Sequence, residues 1–335
     1  MNESELRKIL REELTKGVQK EERQRVDFNE YMNNWLEGKK LELAVGTFDK
    51  YESLIRVHII PYFKGKNLQD VTIKDLQAFL NLKVEQGYAP STIRELKSAI
   101  LHQSLHEAVG RHLIDINPAE YVKIPQVEQR HAKTLTTEEV GRLLKAAEGH
   151  YTYIGIAIML FTGIRRGEML ALTWDNVNLE GAEIYIERSY SPTRSKGAIL
   201  KAPKTKKSVR CVPLSQTLVN LLKSFKATAG NDVFVCHQKR QDKMINPRVF
   251  DRVLELMCDK AGIEGISSHS FRHTAATAMF EAGVSTRTIA DNLGHTTTRM
   301  LDTHYIHLRT NSLQKEAARL LEGAYGDVLN TSKAS

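Results

Sequence analysis

The chain has 335 residues, more than a single hydrophobic core usually organises, so two domains are expected. Hydrophobic residues make up 41% and charged residues 26%, the balance of a soluble globular protein, and a net charge of +8 favours a polyanionic partner. Three cysteines, a charged N-terminus and a longest apolar run of only Ile154 to Phe161 argue against a disulfide scaffold, a secretory signal and a membrane span.

Residues 1–25 are dense in charge, with Leu6, Ile9, Leu10 and Leu14 on a rough helical stripe and Asn2 or Ser4 as a cap, which predicts a solvated helical leader. Phe28, Tyr31, Met32, Trp35 and Leu36 then recur at the spacing of an amphipathic helix. A second helix is expected from Thr47 to Ile60, stopped by Pro61. The third starts at Thr72-Ile73-Lys74-Asp75, and the fourth at Pro90-Ser91-Thr92 with Ser91 as its cap. The fourth carries Ile93, Leu96, Ile100, Leu101, Leu105 and Val109 on its apolar side, with Arg94 and Lys97 elsewhere. Asn117 to Lys133 has two prolines and no period, so it reads as interdomain linker, with the boundary itself at 128–133.

The second domain opens on a helix capped by Thr136, with Glu139 at the reciprocal capping position. Tyr153 to Phe161 is apolar on nearly all sides and should be buried, ending on a Thr162-Gly163 loop that lifts Arg165 out of the core. Ala182–Tyr190 and Ser208–Leu214 alternate as strands, and Asp232–Cys236 reads as another short one. Between Arg194 and Arg210 stand seven lysines or arginines and no acid, a basic hairpin suited to DNA. Cys211, Cys236 and Cys258 read as reduced thiols of a cytosolic protein, two of them in strand-like settings. Pro247–Lys260 is helical, and Thr310–Leu321 forms a terminal amphipathic helix that packs on its own domain or on a neighbouring subunit. Residues 324–335 are expected to be disordered.

Chemistry gathers between Gly265 and Leu308. His269 and Arg272 are three apart, so both can point from one helical face. Gly294-His295 follows an apolar helical segment as a stop signal, and Tyr305 comes ten residues after His295. Arginine offers a fork of donors for phosphate oxygens, histidine a donor or a proton, and tyrosine a nucleophile, so the set asks for an anionic target. No G-x-x-x-x-G-K-[ST] loop and no zinc-type cysteine and histidine spacing is present, so no cofactor or metal is expected.

Thr162-Gly163-Ile164-Arg165 with Glu168, the lysines around Lys204, His269-Ser270-Phe271-Arg272, Leu293-Gly294-His295 and Tyr305 occur in order. In this the chain resembles the tyrosine recombinase (phage integrase) family over roughly residues 26–322. The resemblance implies a mainly α protein: a charged leader (1–25), an N-terminal helical core-binding domain that clamps DNA (26–127), a linker, a catalytic mixed α/β domain with a small antiparallel sheet (134–322) and a tail (323–335). It implies site-specific recombination, with Arg165, Lys204, His269, Arg272, His295 and Tyr305 catalytic and Glu168 in support. Lys206 is the rival to Lys204, because hairpin register is not fixed by one sequence. Phosphate contacts are expected from Arg94, Lys97, Lys206, Lys207 and Arg210, and from Lys83 and Lys39-Lys40. The leader is too short for the separate arm-binding domain that many such integrases carry. The implied partners are double-stranded DNA with a specific target site, a homo-tetramer on paired sites, and accessory directionality or DNA-bending proteins, with no membrane. The place of action is the cytoplasm, at the nucleoid. Integration and excision of a prophage or integrative element is the leading role. The alternatives are a dimer-resolving recombinase, a type IB topoisomerase, and a non-catalytic DNA-binding protein on the same fold.

Overall fold

A computed structural model describes residues 25–125, 133–193, 197–201, 209–229, 232–238, 241–294 and 297–298. The leader, the terminal helix and the tail expected from the sequence lie outside the described residues. The chain divides near residue 130 into two compact units.

In the N-terminal unit, α1 (Phe28–Gly38) buries all five residues of its predicted apolar stripe and is capped by Asp27, whose Oδ1 accepts from Glu30 N at 2.9 Å. The second helix differs from expectation. Val45–Leu54, Ile55–Ile59 and Ile60–Tyr62 run on as α2, straight past Pro61. Its middle segment is a π-helix in which Ile60 N–H donates to Ile55 O, five residues back. The widened turn gives the proline ring the room that an α-turn denies it. α3 (Ile73–Glu85) has the expected capping box between Thr72 and Asp75. α4 spans Pro90–Arg94, a second π segment Glu95–Leu101, and His102–Gly110. Ala89 rather than Ser91 occupies its N-cap, because Pro90 already takes the first helical position.

Phe28, Phe63 and Phe79 meet at the centre of this unit, with ring centroids 4.9 and 5.5 Å apart along the chain of contacts. Each is fully buried and contributes about 1.5–3 kcal/mol by leaving water. The linker reading fails at its start. Asn117, Ala119 and Val122 are buried, and Asn117 Nδ2 donates to His102 O at 3.1 Å, so the chain past α4 still belongs to this core. Lys83 also corrects an expectation. It is buried, donates to Gln86 Oε1 at 3.0 Å, and lies over the rings of Phe79 and Tyr88. It is packed, not presented to phosphate. Lys39 pairs with Glu42 and Glu107, and Lys40 with Glu37.

The C-terminal unit is built on α6 (Tyr153–Thr162), which packs against α5 (Thr137–Ala147), α8 (Gln216–Ala229) and α10 (Ser268–Glu281). α5 has the predicted Thr136–Glu139 capping box and also packs on α9 (Pro247–Ala261). Short α7 (Arg166–Leu170) follows α6, and α11 (Thr286–Leu293) packs on α10. Beside these lies an antiparallel sheet of β1 (Val177–Asn178), β2 (Glu183–Ile186) and β5 (Arg210–Pro213), while β3 (Ser189–Thr193) pairs with β4 (Gly197–Lys201) and β6 (His237–Gln238) with β7 (Gln241–Met244). The strand expected over Ala182–Tyr190 is thus two strands in two sheets. The one expected over Asp232–Cys236 reduces to a bridge between Phe234 and Thr173. Cys211 and Cys236 are free, as is Cys258, which sits on a helix.

Candidate active site

The ends of α6, α7, α10, α11 and β5 converge on one cluster of charge. α6 is apolar all round and stops at Gly163, whose φ of +69° lies in the left-handed region. A Cβ there would stand 2.6 Å from Leu293 Cδ2, so glycine is what lets α11 come this close. Two residues on, Arg165 caps the N-terminus of α7 and Glu168 folds back to it. Arg165 N donates to Glu168 Oε2 at 2.9 Å, and Nη1 donates to Oε1 at 2.8 Å.

Arg210, the first residue of β5, reaches the same carboxylate from the other side. Its Nη1 and Nη2 donate to Glu168 Oε1 and Oε2 at 3.1 and 2.9 Å, and its Nε donates to Asn292 O at 2.8 Å. Arg272, in the second turn of α10, is buried and donates from Nη1 to Gly163 O at 2.9 Å and from Nη2 to Leu293 O at 2.6 Å. Arg165 Nη2 donates to Gly294 O at 3.2 Å. Three successive carbonyls at the end of α11, those of Asn292, Leu293 and Gly294, are therefore held by three different arginines. A helix C-terminus has unsatisfied carbonyls and a partial negative charge, which is what three guanidinium ions require.

Among the described residues, three guanidinium ions here face one carboxylate, an excess of two positive charges in a largely buried setting. Burial acts to raise the pKa of Glu168, but the bonds and charge of Arg210, then those of Arg165, outweigh it and hold the carboxyl below the usual range. Arg272 is pushed down to about 9, first by burial and then by Arg165, and stays charged at neutral pH. Excess positive charge of this kind is stabilised by an incoming anion. Arg165, with 39% of its side chain exposed, is the member of the cluster that meets solvent.

His269, an exposed residue, lies one turn before Arg272 on α10 with its ring set edge-on to His273, centroids 4.9 Å apart. The protein around it lowers its pKa by desolvation, and Arg272 and Arg165 lower it further. The imidazole is therefore held towards its neutral form. An NMR titration of His269 should give a midpoint below 6.5, and Arg165→Met should raise it; a midpoint at or above 6.5 in the wild type would exclude this environment. Because the unfolded chain binds that proton more readily, stability should decline as pH falls below 6.5 towards the folded-state value.

Of the residues expected at the site, Arg165, Glu168, His269 and Arg272 are brought together. Arg166 turns away and pairs with Asp251 on α9. Lys204, Lys206, Lys207, His295 and Tyr305 lie outside the described residues. On the N-terminal unit Arg94 is exposed and Lys97 half-buried, neither in an ion pair among the described residues.

Arg210, expected at DNA phosphates, instead points into the protein with only 6% of its side chain exposed. The sequence carried a signal for this. Val212 is apolar and buried, side chains alternate along a strand, and Arg210 is two residues away on the same face.

Residues 133–312 match the model of the phage integrase family, and residues 27–84 that of the phage integrase N-terminal SAM-like domain. Among curated proteins, a "Tyrosine recombinase XerC-like" protein of Caldanaerobacter subterraneus subsp. tengcongensis is 27% identical over 328 residues, covering 87% of this chain and 83% of its own. The ICEBs1 integrase of Bacillus subtilis is 24% identical over 310 residues, covering 89% and 83%. Among solved structures, the Tn1549 transposon integrase in complex with a circular intermediate DNA superposes with a TM-score of 0.77 at 18% identity, over 88% of this chain and 99% of that one. That likeness is one of fold.

Proposed function

The chain belongs to the phage integrase family of tyrosine recombinases, and from that premise we propose that Tyr305 is the nucleophile of its DNA strand exchange. The protein is a site-specific DNA recombinase. The observation that supports the residue assignment is the meeting of Arg165, Arg272 and His269 around a cluster with positive charge in excess among the described residues.

Tyr305 attacks the scissile phosphorus, forming a 3′-phosphotyrosyl bond as the bond to the 5′-oxygen breaks. A phenol is a poor nucleophile near neutral pH, and the positive field of two arginines favours its ionised form. Neutral His269 is suited to accept the phenol proton, and Lys204 gives a proton to the departing 5′-oxygen. Arg165 takes the non-bridging oxygens directly. Two of the five donors of Arg272 are committed to backbone carbonyls, leaving three for the phosphate from beneath. Both arginines neutralise the charge that builds in the pentavalent transition state, and His295 donates to it as well. The reverse attack by a 5′-hydroxyl of the partner duplex releases Tyr305 and reseals the strand. One phosphoester bond is made for each one broken, so no external energy source enters.

Exchange between two duplexes cuts four strands. With one nucleophilic tyrosine per chain this calls for a homo-tetramer on paired, specific sites, working in the cytoplasm on nucleoid DNA with accessory directionality proteins. Arg94, Lys97, Lys206 and Lys207 supply phosphate contacts that fix register. We read the biological role as integration and excision of a mobile element, and sequencing the DNA junctions formed beside the native flanking DNA distinguishes it from dimer resolution.

Trapping tests the chemistry. A nicked duplex that loses its 5′-hydroxyl fragment on cleavage should leave DNA joined to a single peptide, that of Tyr305. Lys204→Ala should slow cleavage of ordinary DNA by about 10²–10⁴-fold, the range for loss of a general acid. A 5′-bridging phosphorothioate, whose leaving group needs no proton, should restore it. Rescue of Lys206→Ala instead transfers the role two residues on.

A further inference from the structure

We infer that Arg210 is a positioning residue for strand cleavage, acting through Glu168 and the last turn of α11 on Arg165, with no contact of its own to DNA. The inference rests on the recombinase reading above and deepens it.

The Glu168 carboxylate accepts four hydrogen bonds, from Arg165 N and Nη1 and from Arg210 Nη1 and Nη2. A carboxylate has about four lone-pair sites, so its acceptor capacity is filled and its two oxygens are fixed in direction. Arg165 is aimed by two anchors, Glu168 Oε1 and Gly294 O. Arg210 grips both ends of that arrangement. Its fork sets the plane of Glu168, and its Nε holds Asn292 O, two residues before Gly294. Gly294 itself sits against the Arg210 guanidinium, where an added Cβ would lie 3.0 Å from Nη1. Both anchors of Arg165 thus depend on one side chain that is nearly out of reach of solvent.

Arg210 is also the first cause that holds the Glu168 carboxyl down against its own burial. Without it, only Arg165 opposes that burial, and the carboxyl takes up a proton at higher pH than in the wild type. A protonated Glu168 no longer receives Arg165 as an ion. Loss of Arg210 should therefore appear as a pH effect on cleavage, which a phosphate contact would not produce.

The experiment compares full-length wild type, Arg210→Lys and Arg210→Met on a nicked trapping substrate in single turnover, with rates taken per DNA-bound protein so that any loss of folded material does not enter. Lysine keeps the charge but lacks the planar fork. Both variants should bind DNA within about twofold of wild type and with the same dependence on salt, because no phosphate contact is lost. Cleavage should fall about 30- to 100-fold, the scale of a misplacement of about 1 Å. The acid limb of the rate profile should move to higher pH in Arg210→Met, and adding Glu168→Gln should remove that movement, since an amide does not titrate. A lowered affinity with a salt slope shallower by about one ion makes Arg210 a phosphate ligand and overturns the inference. So does an unchanged rate and pH profile in both variants. Adduct formation by wild type in the same assay is the control that separates these results from a failure of the Tyr305 assignment.

Discussion

Tyr305→Phe should bind its DNA site with wild-type affinity and cleave nothing, with a loss of strand cleavage of at least about 10⁴-fold, as when a covalent nucleophile is removed. The change deletes one oxygen and leaves the ring, so packing and charge are preserved. The arginine cluster at the ends of α6 and α11 remains, and with it the excess positive charge that receives a phosphate. Trapped covalent complex and gel-shift affinity, measured on one preparation, separate the two effects. DNA still joined to the Phe variant would sink the assignment and leave this cluster as a binding site only.

Arg272→Ala should be the most damaging change among the described residues, because the side chain acts in two ways. Its removal strips the guanidinium from Gly163 O and Leu293 O in a buried place, and each orphaned carbonyl costs about 1–3 kcal/mol. It also removes one of the two arginines proposed to hold the reacting phosphate, a loss of about 10²–10³-fold in rate. Denaturant unfolding should therefore shift to a lower midpoint while cleavage per folded molecule also falls. Arg272→Lys should keep part of the rate, since the charge stays, and recover little stability, since one ammonium cannot span two carbonyls on different helices. Equal stability of all three proteins would mean that the contacts at Gly163 and Leu293 carry no weight.

Much of this arrangement is legible in the residues wherever the deciding chemistry is local. Thr72–Asp75 and Thr136–Glu139 form the capping boxes their spacing predicts, and the apolar period of Phe28 to Leu36 is buried as expected. His269 and Arg272 share a helix, and Gly294 ends one. What escaped depends on partners distant in sequence. Lys83 finds an aromatic cage that composition does not announce, and its role changes from surface charge to interior packing. Arg210 finds Glu168 only because β5 lies beside α7 and α11, and a strongly basic hairpin disguises its inward parity. Pro61 misled because the remedy for a proline, a widened turn, leaves no mark in the residue pattern.

The two wide turns have a consequence for how the N-terminal unit addresses its surroundings. Each behaves as one inserted residue, so the helix beyond it is out of phase by about 100° with the helix before it. In α4 that slip keeps one side buried: Ile93 and Leu96 before it and Leu101, Ser104, Leu105 and Ala108 after it would spread round the axis of a regular helix, and the wide turn gathers them on one face. The outward side is aligned by the same slip. Arg94, just before the wide turn, and His106, well after it, would stand about 120° apart on a regular α-helix and project within about 20° of each other here, so one polar stripe runs through.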